Sequence, residues 1–212
     1  MEKGKFNQRT DYVLNESLKE GEVSSNPFDL FHEWYEIALK HVKKDPNAMT
    51  LSTYDGVFPR GRVVLLKELD HEGFVFFTNY QSDKGRELEM HPNASVVFYW
   101  KELERQVRVQ GKVVKTSEAD SDGYFLSRPL GSRLGAWASP QSKVIPSREW
   151  LVEQVEKKSI EFESKVHRPS FWGGYRLIPE YLEFWQGQSS RLHDRIVFEK
   201  GNSGWVKKRL AP

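Results

Sequence analysis

Between Phe184 and Arg195 the chain reads Phe-Trp-Gln-Gly-Gln-Ser-Ser-Arg-Leu-His-Asp-Arg, and the groups best suited to chemistry are concentrated here. Arg191, His193 and Arg195 recur at every second position, so an extended segment would point all three side chains to one face. A row of cations beside Trp185 suits an anionic, planar ligand. Guanidinium groups grip phosphate at two points and stack on rings, and the indole adds an apolar wall. The same spacing also fits a solvated strand face whose charges pair with Asp194 and Glu183, since charge-rich edge strands are common. The segment by itself leaves both readings open.

Other groups able to take a phosphate are scattered along the chain. Arg62 and Lys67 flank Val63, Val64, Leu65 and Leu66; five positions apart, they fall on opposite faces of a strand unless a bulge intervenes. Lys84 follows Ser82, a good N-cap, and so stands at a helix start where free amides and the helix dipole favour anions. Arg128 and Ser132 lie in a stretch rich in Gly, Pro and Ser, with Tyr124 one helical turn before Arg128. In the polar N-terminal segment only Arg9 and Tyr12 are suited to touch a ligand. Each of these residues, taken singly, also fits a surface charge or a helix end.

The elements that must position these groups are legible from periodicity. Residues 1–25 read as a mobile arm and 26–212 as a single domain. A helix begins at Asn26-Pro27 and runs to about Lys44 on Leu30, Phe31, Trp34, Ala38 and Val42. Strands follow at 48–54, 60–69 and 74–78, a short helix at 82–90, strands at 94–100 and 106–115, and a helix at 117–127. Residues 128–142 read as a broken loop, the kind that is commonly functional. The longest helix is expected at 147–166, and four strands close the chain at 173–178, 181–186, 195–199 and 205–209. Nine strands with few helices and no strict β-α alternation point to a mainly β fold, an antiparallel barrel with flanking helices.

Composition removes several function classes. The 212 residues carry 32 Lys and Arg against 30 Asp and Glu, a balance that argues against a dedicated nucleic-acid surface. There is no Cys, so thiolate metal sites and disulfides are excluded, and the six His are too dispersed for a metal site. No stretch is long and apolar enough to span a membrane, and the beginning lacks a signal-like apolar core; a soluble, cytoplasmic protein is expected. Glycine-rich dinucleotide fingerprints, phosphate-binding P-loops, the nucleophile elbow and zinc-helix motifs are all missing.

Eight short motifs in order carry a resemblance that no one of them could. Arg62-Val-Val-Leu-Leu-Lys67, Glu104-Arg-Gln-Val107, Ser127-Arg-Pro129, Gly135-Ala-Trp137, Gln141-Ser142, Phe171-Trp-Gly-Gly174, Phe184-Trp-Gln-Gly187 and Arg191-Leu-His-Asp-Arg195 resemble the pyridoxine/pyridoxamine 5'-phosphate oxidase family, from about residue 27 to Pro212. The resemblance implies an FMN-binding split barrel, a homodimer with active sites at the subunit interface, and oxidation of pyridoxine 5'-phosphate or pyridoxamine 5'-phosphate to pyridoxal 5'-phosphate by O2. It assigns FMN to Arg62, Val63, Val64, Leu65, Leu66, Lys67, Phe77, Thr78, Lys84, Gln106, Gln141, Ser142, Trp185 and Arg195. The substrate phosphate falls to Lys67, Tyr124, Arg128 and Ser132, and the pyridine ring to Arg191 and His193, which also ease loss of the substrate's proton. Arg9 and Tyr12 resemble a segment that closes over the substrate. No metal is implied. One departure stands out: family members often carry Arg just before the lysine of the flavin-phosphate cluster, and this chain has Asp83, which would repel phosphate unless it turns away or pairs with Arg86. The alternatives are a split-barrel flavin enzyme with another substrate and a non-catalytic carrier of FMN or pyridoxal phosphate.

Overall fold

The computed structural model describes residues 11–13, 17–163 and 165–212, so Arg9 lies outside the described residues. These hold nine strands and five α-helices. In chain order they are α1 (Pro27–His41), β1 (Ala48–Tyr54), β2 (Pro59–Leu65), β3 (Glu68–Leu69), β4 (Phe74–Asn79), α2 (Asp83–Met90), β5 (Asn93–Trp100), β6 (Arg105–Lys115), α3 (Glu118–Ser127), α4 (Leu130–Ala138), α5 (Arg148–Phe162), β7 (Trp172–Gln186), β8 (Asp194–Gly201) and β9 (Gly204–Leu210). The strands form one sheet ordered β2-β1-β5-β6-β7-β4-β3, with β8 on β7 and β9 on β8. The chain divides into two compact units, residues 1–49, 96–109 and 180–212 in the first, 50–95 and 110–179 in the second.

In the first unit α1 starts where Asn26 caps it, its side chain accepting from the Phe28 amide at 3.0 Å. The helix buries Leu30, Phe31, Trp34 and Ala38, the spacing of one helical face. Phe31 meets Phe98 edge-on at 5.1 Å and Trp34 meets Phe184 at 5.3 Å, so aromatic area does most of the joining. β7, β8 and β9 pair antiparallel, and Trp185 stands opposite Arg195 in the ladder. Part of the segment read as a mobile arm is fastened here. The Leu18 amide donates to Asp194 Oδ2 at 3.1 Å, and Lys207 Nζ donates to the carbonyls of Glu20 and Val23 at 2.6 and 2.8 Å.

The second unit holds β4, which pairs antiparallel with β3 and with β7 as far as Leu177, and the helices α2 to α5. Its helical side closes on Phe125, Leu134, Val166 and Trp172.

Four expectations are corrected. Residues 128–142 are not a loop throughout, because α4 occupies 130–138. Two glycines lower helix propensity by about 1 kcal/mol each, but burial of Leu134 and Ala138 outweighs that, and Trp137 donates to the His167 carbonyl at 2.7 Å. The expected strand 60–69 is split into β2 and β3, with Leu66 turned into the core and the Lys67 amide bonded to Val75 O at 2.9 Å. The two strands expected at 173–186 are one, β7, which runs through Pro179. Gly111 makes that possible: a Cβ there would sit 2.9 Å from Pro179 Cα. Finally α5 ends at Phe162, not 166, where Glu163 takes a left-handed conformation with φ 44°, and it is no longer than α1.

Candidate active site

The first cluster lies at the start of α2. Ser82 caps the helix, its Oγ accepting from the Gly85 amide at 3.4 Å while donating to Asn79 O at 2.6 Å. Lys84 is buried, and Nζ donates to Thr78 Oγ1 at 3.2 Å and Ser82 Oγ at 3.0 Å. Burial, and then the neighbouring Arg62 charge, bring the lysine down to about 8, against the opposing pull of Asp83 and Glu87. A buried ammonium whose hydrogen bonds among the described residues go to hydroxyls, at the positive end of a helix, fits an anionic ligand. Arg62 is fixed by Glu87 Oε2, 3.0 Å from its Nη2, and donates through Nη1 to the Thr53 hydroxyl. Asp83 does what the sequence required of it: it turns to Arg86, at 2.6 Å, and its backbone amide donates to Ser142 Oγ at 3.2 Å. Gln141 and Ser142 are exposed beside it. In β2 the Val63 and Leu65 side chains are exposed and Val64 is half-buried, and the strand stands at one end of the sheet order.

The second cluster, in the same unit, is a stack of rings edged with cations. Phe77 and Tyr124 stack at 4.0 Å between centroids, and Trp172 lies nearly parallel to Tyr124, with an interplanar angle of 6°. Lys67 Nζ lies 5.9 Å from the centre of the Tyr124 ring and the Arg128 guanidinium 4.6 Å from that of Trp172. Arg128 Nη1 is buried and has no hydrogen-bond partner among the described residues, and burial lowers the pKa of the guanidinium. An orphaned buried donor is costly unless a ligand completes it. Arg128 also lines a cavity of about 310 Å3, together with Asn79, Ser132, Gln141, Trp172, Gly135, Ala136 and Ser139. The small residues of α4 thus serve as cavity wall.

The third cluster belongs to the first unit and corrects the opening expectation. Arg191, His193 and Arg195 do not form a comb on an extended strand. Residues 189–191 make a 3-10 turn in which Ser190 and Arg191 take φ values of 54° and 62°, and β8 begins only at Asp194. Arg195 alone is on the strand, on the same face as its cross-strand partner Trp185. Its Nε donates to Glu183 Oε1 at 2.9 Å and its Nη1 to Ala211 O at 2.8 Å. The Glu183 bond raises the Arg195 pKa; Glu183 itself, though burial works against ionisation, is held low by Arg195, Tyr181 and Arg108. His193 accepts at Nδ1 from the Gln188 amide, 3.1 Å away, so the neutral ring carries its proton on Nε2. Burial and then Arg191 lower the His193 pKa. Tyr12 meets Trp185 and His193 edge-on at 5.4 and 5.3 Å, over Gly187, where any Cβ would lie 2.7 Å from the tyrosine ring. Arg191 is exposed, and Gln106 is half-buried on β6.

The structure therefore gathers the expected residues into two sets. Arg62 to Lys67, Phe77, Thr78, Lys84, Tyr124, Arg128, Ser132, Gln141 and Ser142 belong to the second unit; Tyr12, Gln106, Trp185, Arg191, His193 and Arg195 belong to the first. Sequence reasoning missed Glu87, Thr53 and Asn79, whereas the pairing of the Arg195 charge with Glu183 was one of its two readings of the segment. Glu183 was legible as the residue two before Trp185 on the same strand face, whereas Glu87 gave no signal beyond being an acid on a helix.

Comparison with known proteins shows the family to which the chain belongs. A family model described as pyridoxamine 5'-phosphate oxidase matches residues 36–159, and one described as the pyridoxine 5'-phosphate oxidase C-terminal dimerisation region matches 172–212. The chain belongs to the pyridoxamine 5'-phosphate oxidase family. A pyridoxine/pyridoxamine 5'-phosphate oxidase of Paraburkholderia xenovorans is 53% identical over 210 residues, covering 96% of this chain and 97% of that protein. One of Burkholderia thailandensis is 52% identical over 208 residues, with the same coverage. Among solved structures, PhzG from Burkholderia lata in complex with tetrahydrophenazine-1-carboxylic acid matches with a TM-score of 0.87 and 30% identity, over 93% of this chain and 98% of that one. A pyridoxamine 5'-phosphate oxidase-related, FMN-binding protein from Nostoc punctiforme shares the fold at a TM-score of 0.68 and 13% identity, over 86% of this chain and 97% of that one. The antiparallel split barrel expected from the sequence is thus the fold of this oxidase family. The C-terminal match supports a homodimer, and it contains Trp185, Arg191, His193 and Arg195. Among the described residues no helix is long and apolar enough to cross a membrane.

Proposed function

We propose that the protein is an FMN-dependent oxidase that converts pyridoxine 5'-phosphate and pyridoxamine 5'-phosphate to pyridoxal 5'-phosphate with O2, releasing hydrogen peroxide and, from the amine, ammonia. The observation that carries this is the pair of distinct anion clusters in one unit: Lys84 with Arg62 at the start of α2, and Arg128 with Lys67 around the Tyr124–Trp172 stack. A phosphorylated cofactor and a phosphorylated substrate need one clamp each.

FMN falls to Arg62 through Lys67, Phe77, Thr78, Lys84, Gln141 and Ser142 on one side and to Gln106, Trp185 and Arg195 on the other. When bound it supplies the two-electron acceptor for the substrate's C4' and passes the pair to O2. The work of the chain is to hold and orient. Arg128, Ser132, Lys67 and Tyr124 take the substrate phosphate, and Arg191 and His193 face the pyridine ring. His193, neutral near pH 7 and protonated on Nε2, offers the substrate a hydrogen bond; it is not poised as a base at that atom. Tyr12, seated over Gly187, would cover the substrate and exclude water. In a homodimer with its active sites at the interface, the dimerisation region of one copy would bring Trp185, Arg191, His193 and Arg195 to the phosphate clusters of the other. An enzyme acting on a carboxylate such as the one bound to PhzG would need no second phosphate cluster, and the presence of Arg128, Lys67, Tyr124 and Ser132 favours the phosphorylated substrate.

Anaerobic mixing of the FMN-loaded protein with pyridoxamine 5'-phosphate should bleach the flavin absorbance, and air should restore it with release of peroxide. Flavin that keeps its colour under substrate would overturn the oxidase reading and leave a carrier.

FMN affinity should also depend on pH through Lys84. The ammonium form binds phosphate, and the free protein loses that proton at about 8, so affinity should fall as pH rises through this value. The loss should reach about tenfold one unit higher, where roughly a tenth of the lysine remains charged. Lys84→Arg, which stays charged, should flatten the profile; a wild-type dissociation constant that is level from pH 7 to 9 would contradict the assignment.

A further inference from the structure

The phosphate clamp of α2 carries an acid for nearly every cation. Arg60, Arg62, Lys84 and Arg86 face Asp55, Asp83 and Glu87, so that four positive and three negative groups leave a net charge of +1. Asp55 and Asp83 reach solvent and are correspondingly screened. Glu87 does not: its side chain is only 4% exposed. Oε2 takes Arg62 Nη2 at 3.0 Å and the Thr53 hydroxyl, whereas Oε1 has no hydrogen bond among the described residues and lies 3.4 Å from Arg60 Nη1. Burial of this carboxylate costs desolvation that its neighbouring cations must offset, so its charge is tied to theirs.

We propose that Glu87 is an internal counter-anion of the clamp, a positioning residue that holds Arg62 in place and limits how strongly the clamp binds the cofactor phosphate. This rests on the assignment of FMN phosphate to Arg62 and Lys84. Without a bound anion, three cations converge at the base of α2, and the Glu87 charge is what lets them do so. A phosphate arriving at the same cations meets that carboxylate as a like charge in a poorly screened setting, which weakens its binding. Glu87 therefore trades cofactor affinity for a clamp that is assembled before the cofactor arrives. Thr53 contributes only to holding Arg62 in place, because its hydroxyl bridges Arg62 and Glu87 without adding charge.

The two roles separate in a pair of variants. Glu87→Gln keeps the shape and an acceptor for Arg62 but removes the charge; Thr53→Val keeps the charge and removes the bridge. FMN titration of the apoproteins, followed by quenching of flavin fluorescence, should show Glu87→Gln binding more tightly by on the order of tenfold, the effect of one partly screened like charge. Thr53→Val should bind a few-fold more weakly. Glu87→Gln binding no better than wild type, or weaker, overturns the proposal and leaves Glu87 a structural acid. Should Glu87→Gln fold only in the presence of phosphate or FMN, the bound anion is replacing the carboxylate, as the proposal requires; failure to fold with or without them overturns it. If the wild-type chain takes no FMN at all, it is the cofactor assignment that falls. Inorganic phosphate then decides the case for Glu87: the rise in Tm that it causes must be larger in Glu87→Gln than in wild type, and an equal, smaller or absent rise overturns the proposal.

Discussion

Arg128→Ala is expected to lower kcat/KM for pyridoxamine 5'-phosphate by about a thousandfold, the loss of two charge-assisted hydrogen bonds worth ~2 kcal/mol each. The guanidinium is packed over Trp172 and Phe125, at 4.6 and 5.6 Å from the ring centres, so its direction is set before any ligand binds. One of its nitrogens is buried without a hydrogen-bond partner among the described residues, and Arg128 lines the cavity that α4 walls off. Binding of FMN, whose phosphate falls to the other cluster, should change far less than turnover, by the part of the site that the two ligands share through Lys67 and Gln141. Arg128→Lys should recover only part of the loss, because an ammonium gives a point charge where the planar fork gives two aligned donors. The decisive comparison is with dephosphorylated pyridoxamine. Its poor turnover should be the same in wild type and variant; an equal thousandfold loss there would show that Arg128 shapes the pocket and does not read the phosphate.

Lys84→Met should weaken FMN binding by about a hundredfold, ~2.7 kcal/mol, for the loss of a buried charge-assisted bond to phosphate. The methionine keeps the length of the stem and fills the space between Thr78 and Ser82. The apoprotein should melt no lower than wild type, because the variant no longer buries an ammonium whose pKa burial has pushed down to about 8. Those two outcomes together identify a functional lysine: affinity is lost and stability is kept. A matched fall in melting temperature and affinity would instead mark Lys84 as part of the core. Titration of the apoprotein with FMN and a melting curve on the same sample make the comparison.

The parts legible in the sequence were those written in local chemistry. Asn26, Ser82 and Ser117 announced helix starts, and each caps its helix as the spacing required. Strands with alternating burial, such as Met49, Leu51 and Thr53 on β1, showed their period directly. The helix at 130–138 was hidden, because what stabilises it is Trp137 lodged against Phe162 and Phe171, contacts made between residues far apart in the chain. The continuity of β7 was hidden too. Pro179 reads as a break, and only the missing side chain of Gly111 on its neighbour allows the strand to continue. The motifs named the right residue types around Arg191 and His193, but alternation in sequence does not report a left-handed turn at Ser190 and Arg191. Glu87 escaped for a different reason: a buried acid on a short helix looks, in sequence, like any solvated one.

Several contacts on the polar groups of the site are made by the main chain. The carbonyl at 211 receives Arg195, the amide at 188 sets the proton position on His193, and the amide at 83 binds Ser142. A side chain can be exchanged at any of these three positions without removing the contact, so long as the backbone keeps its path. Comparison of sequences across relatives is therefore blind to them: variation at 83, 188 or 211 carries no news about whether the interaction survives. Position 83 shows how the two separate: its carboxylate turns to Arg86 while its amide binds Ser142.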